Sequence, residues 1–340
     1  MQNKAEKYNK SFHILLIILP ILVAILTLGL GRYNISPKEV IEILLSKVFG
    51  NQIESSEISQ NIVLNLRLPR IITAIVVGGG LSVAGVAMQS IFSNPLATPD
   101  TIGVGSGASF GAVIGILLTD NIYIIQLLAF IMGLVAMYIT YSFSKINKGN
   151  RIIMIVLAGM VVSSFFGALI SFLKTVADTD TQLPSIVYWL MGSMASSSFK
   201  TLLSGAPFII LGSGFIFFTR WKMNILLLSE DEARSMGINV SRMRLIIIAS
   251  SALITSSAVS MCGQVGWIGL LIPHLSRMLI GSDNTYVVPL SISFGGVFML
   301  IVDTLSRTIS PTEIPLSVLT AMIGAPFFAY LIKRTGGVWQ

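Results

Sequence analysis

An all-α polytopic membrane protein with about ten transmembrane helices is the fold class this sequence predicts. The first ground is composition. Of 340 residues, 54% are hydrophobic and only 11% are charged, whereas a soluble domain carries about 25% charged residues. The second is spacing. Apolar runs near the ~20 residues needed to cross a bilayer recur along the chain, separated by short polar breaks. The third is the longest charged interruption in the second half, LSEDEARSMGINVSRMR, which begins at Leu228. It reads as a small polar helix that hydrocarbon excludes.

Ten spans are predicted, at 12–31, 69–92, 99–119, 122–144, 152–174, 201–219, 244–263, 267–281, 286–306 and 314–333, within a single membrane domain covering 1–340. The run at 14–31 is too long for a typical secretory h-region and lacks a small-x-small site after it, so it reads as the first span. An even number of spans puts both termini on one side. With the N-terminus inside, 14 of the 22 Lys and Arg fall in the cytoplasm, and five of the other eight lie in the segment 32–70. The net charge of +7 therefore reports orientation in lipid and not a nucleic-acid partner. Cys262 is the single cysteine, which excludes an internal disulfide and a cysteine-based zinc site.

The outer segment 32–66 opens with Ser36, Pro37 and Glu39, a cap, a first-turn proline and a capping-box acid. The VIEILLSKVF stretch then suits an amphipathic surface helix. LRLPR follows, with Arg67 and Arg70 at the outer rim; snorkelling is the plain reading of both. Gly78, Gly79 and Gly80 stand in the middle of the second span, where they permit close helix approach or border a cavity. IFSNPLATPD is a Pro-bearing turn on the cytoplasmic side. In the third span Gly103, Gly107, Gly111 and Gly115 recur every four residues and predict a packing seam. IVYWLMGSM, between spans five and six, is too short to span and suits a surface or re-entrant helix at the outer mouth. The seventh span is rich in Ser and Thr, which either satisfy themselves on helix carbonyls or line a wet path. Asp303 and Arg307 are spaced for an i,i+4 pair, with Glu313 nearby at the outer surface.

In the charged interruption, Ser229 can cap a helix and Glu232 completes a capping box. Gly237 supplies a left-handed stop after Met236. Glu230, Asp231, Glu232 and Arg234 would each cost several kcal/mol in hydrocarbon, so the piece lies outside the bilayer. It is a knob suited to a partner, or else an ordinary solvated loop.

There is no GxxxxGK[ST] loop, no HExxH, no cysteine cluster and no carboxylate clearly at mid-span. A membrane body with a cytoplasmic knob and no engine of its own favours an engine on another chain. An ion-coupled secondary transporter is the alternative.

Five stretches carry a resemblance: LRLPR, GVAMQSIFSNPLATPDTIGVGSGASFGA, LSEDEARSMG, GQVGWIGLLIPHLSR and EIPLSVLTAMIGAPFFAYLIKR. Together they resemble the FecCD-like permeases, the membrane subunits of ABC importers for iron-siderophores, haem and cobalamin. The resemblance implies a type II ABC importer permease in the bacterial cytoplasmic membrane. It implies a second permease subunit, identical or homologous, two ATPase subunits that hold the ATP, and an extracytoplasmic substrate-binding protein. It makes 229–242 the coupling helices and makes Arg67 and Arg307 docking residues for the binding protein. No catalytic residue, metal or cofactor is expected on this chain, and an iron-siderophore is the expected cargo.

Overall fold

A computed structural model describes residues 10–49, 55–145 and 151–335. Lys4, Lys7, Lys148 and residues 50–54 of the outer segment, all used above, lie outside the described residues. Among the described residues there is no strand. The helices are α1 (Lys10–Gly29), α2 (Pro37–Phe49), α3 (Glu57–Asn61), α4 (Leu68–Phe92), α5 (Val104–Leu118), α6 (Ile122–Phe143), α7 (Arg151–Val176), α8 (Gln182–Leu190), α9 (Phe199–Ile225), α10 (Glu230–Ser235), α11 (Val240–Cys262), α12 (Ile268–Ile280), α13 (Asn284–Thr308) and α14 (Leu316–Thr335). Seven spans are long and apolar enough to cross a membrane, and α5, α12 and α14 are shorter apolar helices. The ten expected spans are thus present, three of them short.

The centre is α4, where 20 of its 25 residues are buried. It packs against α13, α9, α11 and α12. Its triglycine lets three neighbours approach. A methyl group on Gly78 would overlap the Gly295 carbonyl on α13, one on Gly79 would press on the Ile292 carbonyl, and one on Gly80 would meet Ile209 and Ile254. Further along, Gly85 lies against Gly269 of α12. These contacts bring backbones together where side chains would hold them apart.

One detail of the second span and one of the third differ from expectation. The helix does not begin at Pro69: a π-helical stretch, Ile62–Arg67, joins α3 to α4 without a break. Glu57–Phe92 is one apolar rod of 36 residues, so the outer segment ends inside it. The glycine stripe is also shorter than its spacing implies. Gly107, Gly111 and Gly115 do form the α5–α6 seam, facing Met132, Leu128 and Ile125. Gly103 is outside the helix, at φ 77°, and faces α7 at Val162. A four-residue period does not reveal that the first member is a turn.

In α11, Ser257 donates to the Gly205 carbonyl (2.8 Å) and Ser260 to Ser257 (2.8 Å). Ser251, Thr255 and Ser256 are buried without a side-chain hydrogen-bond partner, and Thr255 lines a cavity, so bonding to helix carbonyls accounts for only part of the α11 hydroxyls.

Candidate functional site: a central cavity and its two ends

A cavity of about 590 Å³ is bounded by α4, α7, α8, α11, α14 and two connecting segments. Leu81, Val187, Leu190 and Val259 give it apolar walls, while Thr255, Gln264, Lys174 and Asp100 supply polarity. Two broken spans create it. At ~1.5 Å per residue, α5 (15 residues) is about 22 Å long and α12 (13 residues) about 20 Å, against ~30 Å of hydrocarbon. Both therefore start inside the membrane. Irregular backbone at that depth is tolerated only where it is buried or lines a cavity, and residues 98–100 and 264–267 line this one.

Each segment is fixed by specific contacts. Thr98 and Thr101 cap one another around a short turn at Pro99–Ile102. Thr140 of α6 holds the Ile102 carbonyl at 3.0 Å. Gln89 of α4 reaches the Gly269 carbonyl at 3.3 Å and accepts from Arg277 at 2.5 Å. Arg277 thus ties α12 to α4. Trp267, just before α12, has φ 69°. A bulky residue there costs on the order of 1–3 kcal/mol and marks a constrained position. Its ring packs on Gly324 of α14 and lies 6.5 Å from Phe328.

Asp100 closes the IFSNPLATPD segment, which is a turn, as expected, but folds back alongside α4. Pro99 touches Gly269, which touches Gly85. That places Asp100 about seven residues, roughly 10 Å, inside the end of α4 at Phe92. Its carboxylate sits against Gly105, at the start of α5, and faces the cavity. A sequence scan centred on long apolar runs misses it, because the run is broken where the cavity needs it broken. The α8 helix, expected at the mouth, supplies Val187 and Leu190 to the cavity wall.

At one end lies a buried charge cluster. Arg70 makes a two-point pair with Glu313 (2.8 and 3.0 Å) and bonds Asp303 at 2.7 Å. It does not snorkel: its side chain is 11% exposed. Asp303 and Arg307 are paired at 3.4 Å, as their spacing predicts. Arg67 donates to the carbonyls of Leu28 (2.6 Å), Gly29 (3.1 Å) and Tyr33 (2.5 Å). Arg307 donates to Leu30 (2.5 Å) and Thr27 (2.7 Å). Both guanidiniums therefore cover the orphan carbonyls and negative end of α1. Arg67 and Arg307 are 7% and 8% exposed. Gly31 leaves them room, because a methyl group there would run into both.

At the other end is the knob. Ser229 and Glu232 form the expected capping box around α10, and their bonds hold the Glu232 carboxyl below the ordinary glutamate pKa. Gly237 has φ 79° and donates to Arg234 (2.9 Å), while Ile238 donates to Ala233 (3.2 Å). These two bonds make a Schellman stop. Asp231 is exposed, and Glu230 pairs with Arg234 at 3.4 Å. Glu230 also pairs with Arg244 of α11. Arg244 thus clamps the knob to a helix that borders the cavity.

Comparison with known proteins follows this architecture along almost the whole chain. The profile of the FecCD transport family matches residues 16–334. The molybdate import system permease protein MolB of Haemophilus influenzae is 39% identical over 94% of this chain and 96% of its own. A probable iron chelatin transport system permease protein of Helicobacter pylori is 36% identical over 97% of this chain and 99% of its own. A solved inward-facing structure, assigned to the metal-chelate type of ABC transporter, superimposes with a TM-score of 0.86 at 36% identity, covering 96% of this chain and 100% of its own.

Proposed function

Because this chain belongs to the FecCD transport family, we propose that it is the membrane-spanning permease of a binding-protein-dependent ABC importer. The observation that carries the reading is the clamped knob. α10 is capped at both ends and is joined through Glu230 and Arg244 to α11. The same α11 presents Thr255 and Val259 to the cavity. A push on the knob is thus transmitted by one rigid helix to the wall of the path. The push comes from ATPase subunits on separate chains, which close on ATP and place the knob in the cytoplasm. Cargo enters from the opposite face and passes by alternating access between two permeases, identical or homologous. No bond in the cargo is made or broken by this chain.

Docking of the binding protein falls to Arg67 and Arg307. Guanidinium–carboxylate pairs suit a wet interface. In the state described here these side chains are engaged with α1, so docking exchanges carbonyl acceptors for carboxylates of the partner.

The proposed cargo is an iron-siderophore, with haem or cobalamin as the alternatives. What supports a chelate is the cavity lining: broad apolar walls with a few convergent polar groups fit a large amphiphilic molecule better than a small hydrated oxyanion. Growth of a deletion strain on single iron sources, on haem, on cobalamin and on limiting molybdate tests this. Growth loss confined to molybdate would overturn it.

Asp100 and Lys174 give the ion-coupled alternative its foothold, because titratable groups do face the path. Proteoliposomes separate the two. Uptake should require ATP and the ATPase subunits, and Asp100→Asn should keep that requirement. Uptake driven by a proton or sodium gradient without an ATPase would refute the importer reading.

A further inference from the structure

The surface formed by α4, α9 and α13 carries a second concavity that the transport path does not use. It is a groove of about 380 Å³. Gly79 and Gly80 form its floor, and Ile209, Phe217, Phe218 and Ile292 form its walls. Ser213 is the one polar side chain among the described residues that line it. The groove is empty of protein because Gly214 of α9 has nothing within 4 Å of where its side chain would start.

Its depth is informative. Gly80 lies 12 residues, about 18 Å, below the start of α4 at Leu68. From Ile209, beside it, to Phe218 is nine residues, or about 13 Å along α9. The groove therefore runs from mid-membrane to the knob-side boundary, close to half of the ~30 Å hydrocarbon layer. Just beyond the last lining residue, Phe218, α9 continues with Arg220, Trp221 and Lys222. Arg220 lies 4.0 Å over the Phe217 ring and donates to the carbonyls of Phe217 (2.6 Å) and Thr285 (3.2 Å). Lys222 lies 5.3 Å from the Trp221 ring. The Asp283 carboxylate, on the α12–α13 turn, is engaged by Asn224 (2.6 Å) and the Thr285 amide (2.8 Å).

We propose that this groove is a binding site for an anionic phospholipid of the knob-side leaflet. One acyl chain lies over Gly79, Gly80 and Gly214, and the phosphate sits at Arg220 and Lys222. Charge complementarity selects the class. A neutral lipid could fill the apolar slot, but two cations beside an interfacial tryptophan favour a negative head group. The leaflet's identity as cytoplasmic rests on the orientation proposed above; the site itself does not. Because α9 leads directly into α10, the bound lipid braces the helix that carries the knob.

The test uses the full-length purified chain, stripped of lipid in mild detergent and given phosphatidylglycerol or phosphatidylcholine. Thermal midpoint and native mass spectrometry are the readouts. Phosphatidylglycerol should raise the midpoint by several degrees and should be retained at least fivefold over phosphatidylcholine at equal concentration. Gly214→Leu projects into open space and replaces a poor helix former. It should keep or raise the lipid-free midpoint while losing the increment from both lipids. The double change Arg220→Gln, Lys222→Gln should lose only the preference for phosphatidylglycerol. Equal stabilisation by both lipids in the unaltered chain would overturn the proposal. So would retention of phosphatidylglycerol by Gly214→Leu, or loss of permease dimers in that variant, which would make the groove a protein interface. None of these measurements involves transport, so they fail or succeed separately from the importer reading.

Discussion

Gly237 offers a direct probe of the knob as a lever. Its φ of 79° is a left-handed value, and nothing lies within 4 Å of a side chain added there. Substitution therefore acts on the backbone alone, with no steric contact to confuse the result. Alanine in this conformation costs roughly 1–2 kcal/mol, valine more, and asparagine least among the non-glycine choices. The six-residue α10 is too short to hold itself without its caps. A loss of 1.4 kcal/mol shifts its closed population about tenfold. Coupling should therefore fall in the order Gly, Asn, Ala, Val. The assay is the ratio of cargo imported to ATP hydrolysed in proteoliposomes holding permease, ATPase and binding protein. ATP hydrolysis should persist in Gly237→Val while import drops about tenfold or more. Unchanged import by Gly237→Val, or an asparagine variant worse than valine, would refute the lever argument.

Other outcomes follow from the two ends of the cavity. Arg70→Met leaves the buried Asp303 and the half-buried Glu313 short of a cation, at about 3–5 kcal/mol, most of it from Asp303. Adding Asp303→Asn and Glu313→Gln should recover most of the thermal midpoint in detergent, and an unrecovered triple variant would contradict the pairing. Arg67→Glu and Arg307→Glu should weaken capture of the binding protein, measured by surface plasmon resonance, and should flatten its salt dependence. Gly31→Ala should do the opposite, because its methyl group displaces both guanidiniums from α1; a change in the same direction in all three would refute the exchange of acceptors. Glu232 has a folded pKa below its unfolded value. Its contribution is therefore complete above the ordinary carboxylate range of ~4.3 and is lost as pH falls through the lowered value. A spin label at Met236→Cys should report fraying of α10 in that acid range, and Glu232→Gln should abolish the pH dependence.

The parts of the fold that obey a single local rule were legible before any coordinates. The capping box at Ser229, the cap at Ser36 and the Asp303–Arg307 spacing each depend on residues within four positions of one another. Apolar length located the spans for the same reason. What stayed hidden depends on long-range placement. Arg70 meets Glu313 across 243 positions. Arg67 and Arg307 meet at the end of α1 only because α4 and α13 pack together. Asp100 reaches the cavity because α5 starts late, and a break in hydropathy marks a turn without giving its depth. Gly103 shares the stripe's period yet forms the turn before α5, which no count of spacings distinguishes.

The late starts of α5 and α12 have an electrical consequence. When water fills the space above Asp100, the insulating thickness along the path shrinks to the last ~10 Å, and the membrane voltage drops mainly there. A cargo carrying net charge would then meet nearly the whole field in one short step, worth about 2.3 kcal/mol per elementary charge per 100 mV. The rate of that step, and no other, should respond to an imposed potential.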